Sequence, residues 1–159
     1  MFSGESKRIT IYYQPVIYDH DSRYVNGIGL YRNNLISLSQ NDNYYTPDYV
    51  IKAEVDGIER YMILDAKFST LGTVKTHQIS DLSFKYLFSI STIADNRSAD
   101  GLCIIYGQCF ANNKMQSAYN KQIGPKDIHP FADMLPLIEG VNADDHDTAI
   151  QQLLSKIGI

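Results

Sequence analysis

The chain has 159 residues, 44% of them hydrophobic, and a formal net charge of -4. That length and apolar content suffice for one compact domain over residues 1–159, while the negative balance argues against a protein that coats nucleic acid through a broad basic field. No uninterrupted apolar stretch reaches the length a bilayer requires, and the N-terminus Met1-Phe2-Ser3-Gly4-Glu5 lacks the apolar segment and cleavage site of a signal peptide. A soluble, cytoplasmic chain with no membrane partner is expected.

The run from Ile9 to Tyr18 is rich in β-branched and aromatic residues and reads as a strand, with Pro15 forcing an edge position or a bulge. From Asp19 to Pro47 the Asn-rich character is broken by Gly27-Ile28-Gly29-Leu30-Tyr31, which reads as loops around one short strand. Asp48 to Val55 and Ile58 to Phe68 are separated by Asp56-Gly57, the dipeptide that suits a two-residue type I′ turn, so an antiparallel hairpin is predicted. Near-helical spacing of the apolar residues Ile79, Leu82, Phe84, Leu87, Phe88 and Ile90 to Ile93 predicts a helix from about His77 to Ile93, and Gly101 to Gly107 reads as a buried strand. Met115 to Gln122 adds a further strand, and Ile123 to Pro136, with three prolines, reads as a surface loop. Ile150, Leu153, Leu154 and Ile157 make residues 144–157 an amphipathic closing helix. Strand, strand, helix, strand implies an α/β fold with a mixed sheet.

Cys103 and Cys109 lack a CxxC spacing, and His20, His77, His129 and His146 are scattered, so zinc is not expected. The hairpin holds the candidate chemistry. With Asp56-Gly57 as the turn, Val55 faces Ile58 and, further out, Asp48 faces Asp65; alternation then puts Asp48, Asp65 and Lys67 on one face. Tyr49, Ile51, Ala53, Val55, Ile58, Met62 and Leu64 occupy the other, which is expected to be the core face. Two facing acids disfavour a bare hairpin by about 0.2–1 kcal/mol, and Mg²⁺ commonly binds through one or two carboxylates plus phosphate and water. Lys67 beside them is placed to activate water or to balance charge on a phosphate. A structural alternative is that Lys67 simply neutralises Asp65, since a carboxylate unpaired in an apolar strand costs several kcal/mol. Asp48 after Pro47 also suits plain strand initiation, Glu54 and Glu59 face one another as solvated residues near the hairpin tip, and Tyr12 and Tyr106 are expected to pack with their hydroxyls at the rim.

Pro47-Asp48 followed by Asp65-Ala66-Lys67, the latter preceded by apolar Met62-Ile63-Leu64, resembles the PD-(D/E)xK nuclease signature. That family puts the aspartate at the start of one strand and D-x-K on its antiparallel neighbour. The stretch from Ile9 to Gly107 is similar to the nuclease subunits of McrBC-like modification-dependent restriction systems, in the strand Ile11-Tyr12-Tyr13-Gln14-Pro15, the strand Ile63-Leu64-Asp65-Ala66-Lys67-Phe68 and the helix and strand that follow. The resemblance implies a restriction-endonuclease-like mixed sheet flanked by helices and Mg²⁺-dependent cleavage of DNA, with Mn²⁺ able to substitute, in restriction or anti-phage defence. It implies metal ligation by Asp48, Asp65 and the Ala66 backbone carbonyl, and a polar accessory group on the following helix, for which Gln78, Asp81 and Lys85 are the candidates. Relatives also supply an acid from a helix before the first strand; here only Glu5 precedes it, so either Glu5 substitutes or the chain is the C-terminal part of a longer protein. Expected partners are DNA, an NTPase or other protein subunit, and a second copy in a homodimer. The rival expectation is a catalytically impaired module of the same fold that binds nucleic acid or scaffolds a defence or repair complex, with RNA as a third, weaker choice of substrate.

Overall fold

A computed structural model describes residues 7–19, 27–33, 44–108, 114–119, 128–138 and 143–159. Its strands are β1 (Lys7–Tyr13), β2 (Ile17–Tyr18), β3 (Leu30–Arg32), β4 (Tyr44–Tyr45), β5 (Tyr49–Val55), β6 (Ile58–Lys67), β7 (Ile90–Thr92), β8 (Gly101–Gln108), β9 (Gln116–Ser117) and β10 (Phe131–Ile138). A helical segment spans residues 71–88, and a C-terminal helix covers Ala143–Ser155. Six strands form one mixed sheet in the order β1-β5-β6-β8-β10-β9, while β2 pairs with β4 and β3 with β7. The neighbours β1/β5, β5/β6 and β10/β9 are antiparallel; β6, β8 and β10 are parallel. The fold is therefore mixed α/β, as expected. Among the described residues no helix is long and apolar enough to cross a membrane.

The hairpin has the predicted register, from Val55↔Ile58 to Tyr49↔Leu64. Its turn works because Asp56 and Gly57 both take positive φ, 51° and 79°, which two-residue primed turns require. Pro15 is buried just past the end of β1, and β1 is an edge strand, so the proline's effect falls where a lost donor is harmless.

Three expectations about the fold fail. The helix begins six residues earlier and ends five earlier than the predicted 77–93. Thr70 caps it, its Oγ1 accepting from the Thr73 N–H at 3.4 Å, and Ser89 Oγ closes it on the Phe84 carbonyl at 2.9 Å. Residues 74–78 and 84–88 form wide π turns, so the buried residues Val74, Leu82, Tyr86 and Leu87 do not keep a 3.6-residue rhythm. Ile90-Ser91-Thr92 leaves the helix altogether to pair with β3, following its β-branched composition.

The second failure lies in the predicted loop 123–136, of which residues 123–127 are outside the described set and 128–130 are irregular as expected. Residues 131–136 lie instead in β10, buried between β8 and β9. Pro136 misled: the Ala118 N–H donates to the Ala132 carbonyl, so even-numbered residues of β10 turn their main-chain groups towards β9. Pairing with β9 stops at Met134, and Pro136 therefore lacks a donor where none is needed. Only Gln116–Ser117 of the predicted strand 115–122 pairs, and residues 120–122 lie outside the described set.

The third failure concerns the core. Ala53, Met62, Cys103, Phe131 and Leu135 pack beneath Ala149, Leu153 and Ile157 of the C-terminal segment, as foreseen for that face, whereas Ile58 beside the turn is exposed instead of core. The face carrying Asp65 is buried too, with Val50, Tyr61, Ile63, Leu102, Ile104, Tyr106 and Met134 covered by Val74, Leu82, Tyr86 and Leu87. A sheet whose central strands run parallel is covered on both faces, which a period-2 reading of the hairpin alone cannot show.

The start of β8 is clasped to β6. The Asp100 N–H donates to the Tyr61 carbonyl at 2.8 Å, and its Oδ2 accepts from the Tyr61 N–H at 2.7 Å and from Arg97 Nη1 at 3.0 Å. Next to it Gly101 has the Phe131 ring where a side chain would begin. Gly101→Ala is expected to destabilise by about 1–3 kcal/mol, the usual cost of overpacking, and Phe131→Leu in the same chain to recover part of that loss. Urea denaturation of the two single variants and the double variant measures the coupling.

Candidate functional site

Asp48, Asp65 and Lys67 converge at the carboxyl end of β6. The Asp48 side chain continues the hairpin ladder past Tyr49↔Leu64, its Oδ2 accepting from the Ala66 N–H at 2.6 Å. Asp65 is only 4% exposed. Its Oδ1 accepts from the Tyr86 hydroxyl at 3.0 Å, and its Oδ2 makes an ion pair with Lys67 Nζ but receives no aligned hydrogen bond. Lys67 is about one-third exposed, so its amine joins the buried carboxylate to solvent.

Both acids act on one phenol. The Tyr86 hydroxyl is held well above its ordinary range by burial first, then by the Asp65 carboxylate and its hydrogen bond, with Asp48 adding to the same direction. Two carboxylates that raise the same buried phenol lie on its side of the sheet, as the register requires.

Ala66 turns its N–H towards Asp48, and in an extended strand the carbonyl of the same residue leaves on the same side. Lys85 lies over the rings of Tyr86, at 4.9 Å, and Tyr45, at 5.2 Å, which joins it to the Asp65 cluster through Tyr86. Gln78 Nε2 donates to Ser69 Oγ at 3.1 Å, two residues past Lys67, and its Oε1 is buried with no donor among the described residues. Asp81 is exposed on the helix, and no contact to the cluster is seen. Glu5 and Cys109 lie outside the described residues.

The sequence reading missed Tyr86, which fixes one oxygen of Asp65, and Tyr45, which meets Tyr86 edge-on at 6.3 Å and carries Arg32 at 4.7 Å. No spacing rule marks either, since one sits in a helix with irregular turns and the other in a two-residue strand. Tyr106 also departs from expectation. It stands beside Lys67 on β8, and its hydroxyl is buried and unpartnered among the described residues instead of reaching the rim.

The buried polar atoms that lack a hydrogen bond among the described residues are Arg32 Nε, Asp65 Oδ2, Gln78 Oε1 and Tyr106 Oη. All four belong to residues joined to this one end of the sheet, by the Tyr45 and Tyr86 rings, by Ser69 or by pairing with Lys67. Such atoms are rare in native proteins, and each is explained by strain, by a chemical role, or by water or an ion as its partner.

The donor set fits a hard divalent ion. Asp48, Asp65 and the Ala66 carbonyl offer oxygens only, and the Oδ2 of Asp65 has the Lys67 amine as its ion-pair partner, a group that a bound cation would displace or share. Among the described residues no three His, Cys, Asp or Glu side chains converge, so water and substrate oxygens would complete the shell.

A cavity of about 670 Å³ lies at the opposite, amino ends of β6, β8 and β10, lined by Glu59, Tyr61, Arg97, Asp100 and His129. Its groups engage one another. Arg97 binds Asp95, Asp100 and the Glu59 carbonyl, and Glu59 is not merely solvated, as its position near the tip suggested. Lys52 and the Tyr61 hydroxyl bond to Glu59 and hold its carboxyl below the usual range. Despite its size, this cavity is the weaker candidate, because its charges are internally matched.

Comparison with protein-family models, with curated proteins and with solved structures finds no match.

Because Tyr86 and Tyr61 are held above their unfolded values near 10, the folded state keeps protons that the unfolded chain gives up, and stability falls as pH rises above about 10. Tyr86→Phe is expected to cost about 1–3 kcal/mol at neutral pH by orphaning Asp65 Oδ1, and to reduce the alkaline slope by up to about 1.4 kcal/mol per pH unit. Urea midpoints at pH 7 and across pH 10–11.5 for the native chain and this variant check both signs.

Proposed function

We propose that this chain is a metal-dependent nuclease of the PD-(D/E)xK type, with a restriction-endonuclease-like core, that hydrolyses phosphodiester bonds in DNA. The observation that carries the reading is the pairing of a buried carboxylate oxygen lacking any aligned donor, Asp65 Oδ2, with a second acid and a lysine on the same sheet face. Mg²⁺, or Mn²⁺ in its place, would be held by Asp48, Asp65 and the Ala66 carbonyl, and when bound it supplies Lewis acidity to the scissile phosphate and lowers the pKa of water.

The chain's own residues do the rest. Tyr86 fixes Oδ1 of Asp65 and leaves Oδ2 to the Lys67 amine. The Lys67 amine, one residue pair along the strand, is placed to steady the water nucleophile or to balance the charge that builds on the phosphate oxygens. Its partial exposure lets it reach substrate without leaving Asp65. Lys85, held over two tyrosine rings, adds positive charge beside the centre, where a phosphate backbone would lie. The net charge of -4 places this attraction in a local patch. Defence against foreign DNA and an NTPase partner belong to this proposal as its biological setting.

A second reading has its own support: Lys67 neutralises Asp65 and the Ala66 N–H satisfies Asp48, so the trio is stable as a purely structural set in a module that binds without cutting. Supercoiled plasmid separates the two. With Mg²⁺ or Mn²⁺ the native chain is expected to nick or linearise it, and Asp65→Asn or Lys67→Gln to slow this at least about a hundredfold, within the range set by lost acid–base and electrostatic groups. Thermal stabilisation by Mn²⁺ should disappear in Asp48→Ala. Cleavage that survives Asp65→Asn, or binding without cleavage in either metal, defeats the enzyme reading.

A further inference from the structure

In the sheet order β1 is terminal, and among the described residues nothing pairs with its outer side. The Gln14 N–H donates to the Asp48 carbonyl, so the residues in phase with Gln14, namely Arg8, Thr10 and Tyr12, turn their main-chain groups inward to β5. Ile9, Ile11 and Tyr13 therefore present theirs to the outer side. Their side chains are apolar and unusually bare: Ile9 is 43% exposed, Ile11 63% and Tyr13 68%.

Edges of this kind are normally guarded by charge, a proline or a bulge, because a bare β-prone strand recruits another strand. Here the cations sit at one end only, Lys7 and Arg8, and the remaining Ile9-Thr10-Ile11-Tyr12-Tyr13 is uniformly β-prone. We propose that β1 pairs antiparallel with β1 of a second copy, about a twofold axis at Thr10, to join two six-stranded sheets into one.

Charge and shape select this register. Centred on Thr10, all seven residues find a partner: Lys7 faces Tyr13 of the other copy, Arg8 faces Tyr12, Ile9 faces Ile11, and Thr10 faces itself. Cations meet aromatic rings instead of each other, and the two isoleucine pairs abut. A twofold centred on Ile9 leaves Tyr12 and Tyr13 unpaired, and one centred on Ile11 sets Lys7 against Pro15, which has no N–H to give. In the Thr10-centred pair the outward groups of Ile9, Ile11 and Tyr13 form the hydrogen-bonded positions, and Thr10 occupies a non-hydrogen-bonded one with its Cα about 4.5 Å from its mate. The apolar side of the joined edge continues into a cleft of about 330 Å³ lined by Ile11, Tyr49, Ile51, Leu64, Ile150 and Leu154. The inference is independent of the nuclease reading, since β1 contributes no residue to the Asp65 cluster.

A Cα separation near 4.5 Å is within reach of a disulfide. In a Cys109→Ser background, with Cys103 buried, Thr10→Cys should give an interchain disulfide on mild oxidation. Arg8→Cys, offset from its own mate by roughly 13 Å along the strands, should give at least about tenfold less, while mixing Arg8→Cys with Tyr12→Cys restores crosslinking. Sedimentation of the unmodified chain across the micromolar range should show a dimer that Ile9→Pro weakens about tenfold or more, because the lost N–H points away from β5. A monomer at every concentration, equal crosslinking from Arg8→Cys and Thr10→Cys, or a folded Ile9→Pro chain that dimerises normally would each overturn the proposal. Should Ile9→Pro not fold, the cysteine pattern still decides.

Discussion

The Asp56-Gly57 turn is the constraint from which the rest of the molecule follows. Both residues hold positive φ, and that geometry admits one pairing of the flanking strands. A slip of one residue would reverse every side chain of β6. Tyr61 and Ile63 would leave the helical side, Met62 would leave the C-terminal side, and Asp65 would be thrust among Cys103, Leu135 and Leu153. Full burial of one large apolar side chain is worth about 1.5–3 kcal/mol, so the register is defended by several such terms at once. The position of Asp65 is therefore a by-product of apolar packing on two faces, and the acid need not organise its own surroundings.

What Asp65 does need is neutralisation. A carboxylate at 4% exposure without a partner would cost several kcal/mol, and removing one member of a buried pair typically costs about 3–5 kcal/mol. Two unlike groups neutralise it together, Tyr86 supplying a neutral O–H to one oxygen and Lys67 supplying charge to the other. The division has a chemical consequence. A phenol lifted far above its ordinary range stays a donor at neutral pH and cannot compete as an acid, so Oδ1 is held by Tyr86 while Oδ2 pairs with a partly exposed amine. Tyr86 is itself held by Tyr45 and Lys85, which couples the helical segment to the centre.

The hairpin, its register and the closing helix could be read directly from residues, because each rests on local chemistry: an Asp-Gly turn, alternation of two, a 3.6-residue stripe. The trio Asp48, Asp65 and Lys67 was legible for the same reason, as it needs only that register. The helix boundaries were not, since Gly72, Thr73 and Val74 discourage a helix that Thr70 nonetheless caps, and the π turns erase the expected rhythm. Phe131–Ile138 was hidden behind its proline, whose harmlessness depends on where β9 stops, a fact of tertiary pairing. Tyr86 reaches Asp65 across 21 residues of chain, and no sequence window sees such a contact.

The two ends of the parallel strands divide labour in a way that bears on where chemistry can occur. At the amino ends, Arg97, Asp95, Asp100, Glu59, Lys52 and Tyr61 satisfy one another and tie β8 to β6. At the carboxyl end of β6, by contrast, Asp65 Oδ2, Gln78 Oε1 and Tyr106 Oη are buried without a hydrogen bond among the described residues. Each such atom costs about 1–3 kcal/mol, and a fold that could relieve them by a rotamer change gains by doing so. Their grouping near one end contrasts with the matched charges at the other. Open α/β sheets bind their ligands outside the carboxyl ends of parallel strands, where loops diverge and main-chain groups are left to solvent. Here the same end carries a buried acid ion-paired with a partly exposed lysine, and a second acid hydrogen-bonded to the main chain of the residue between them.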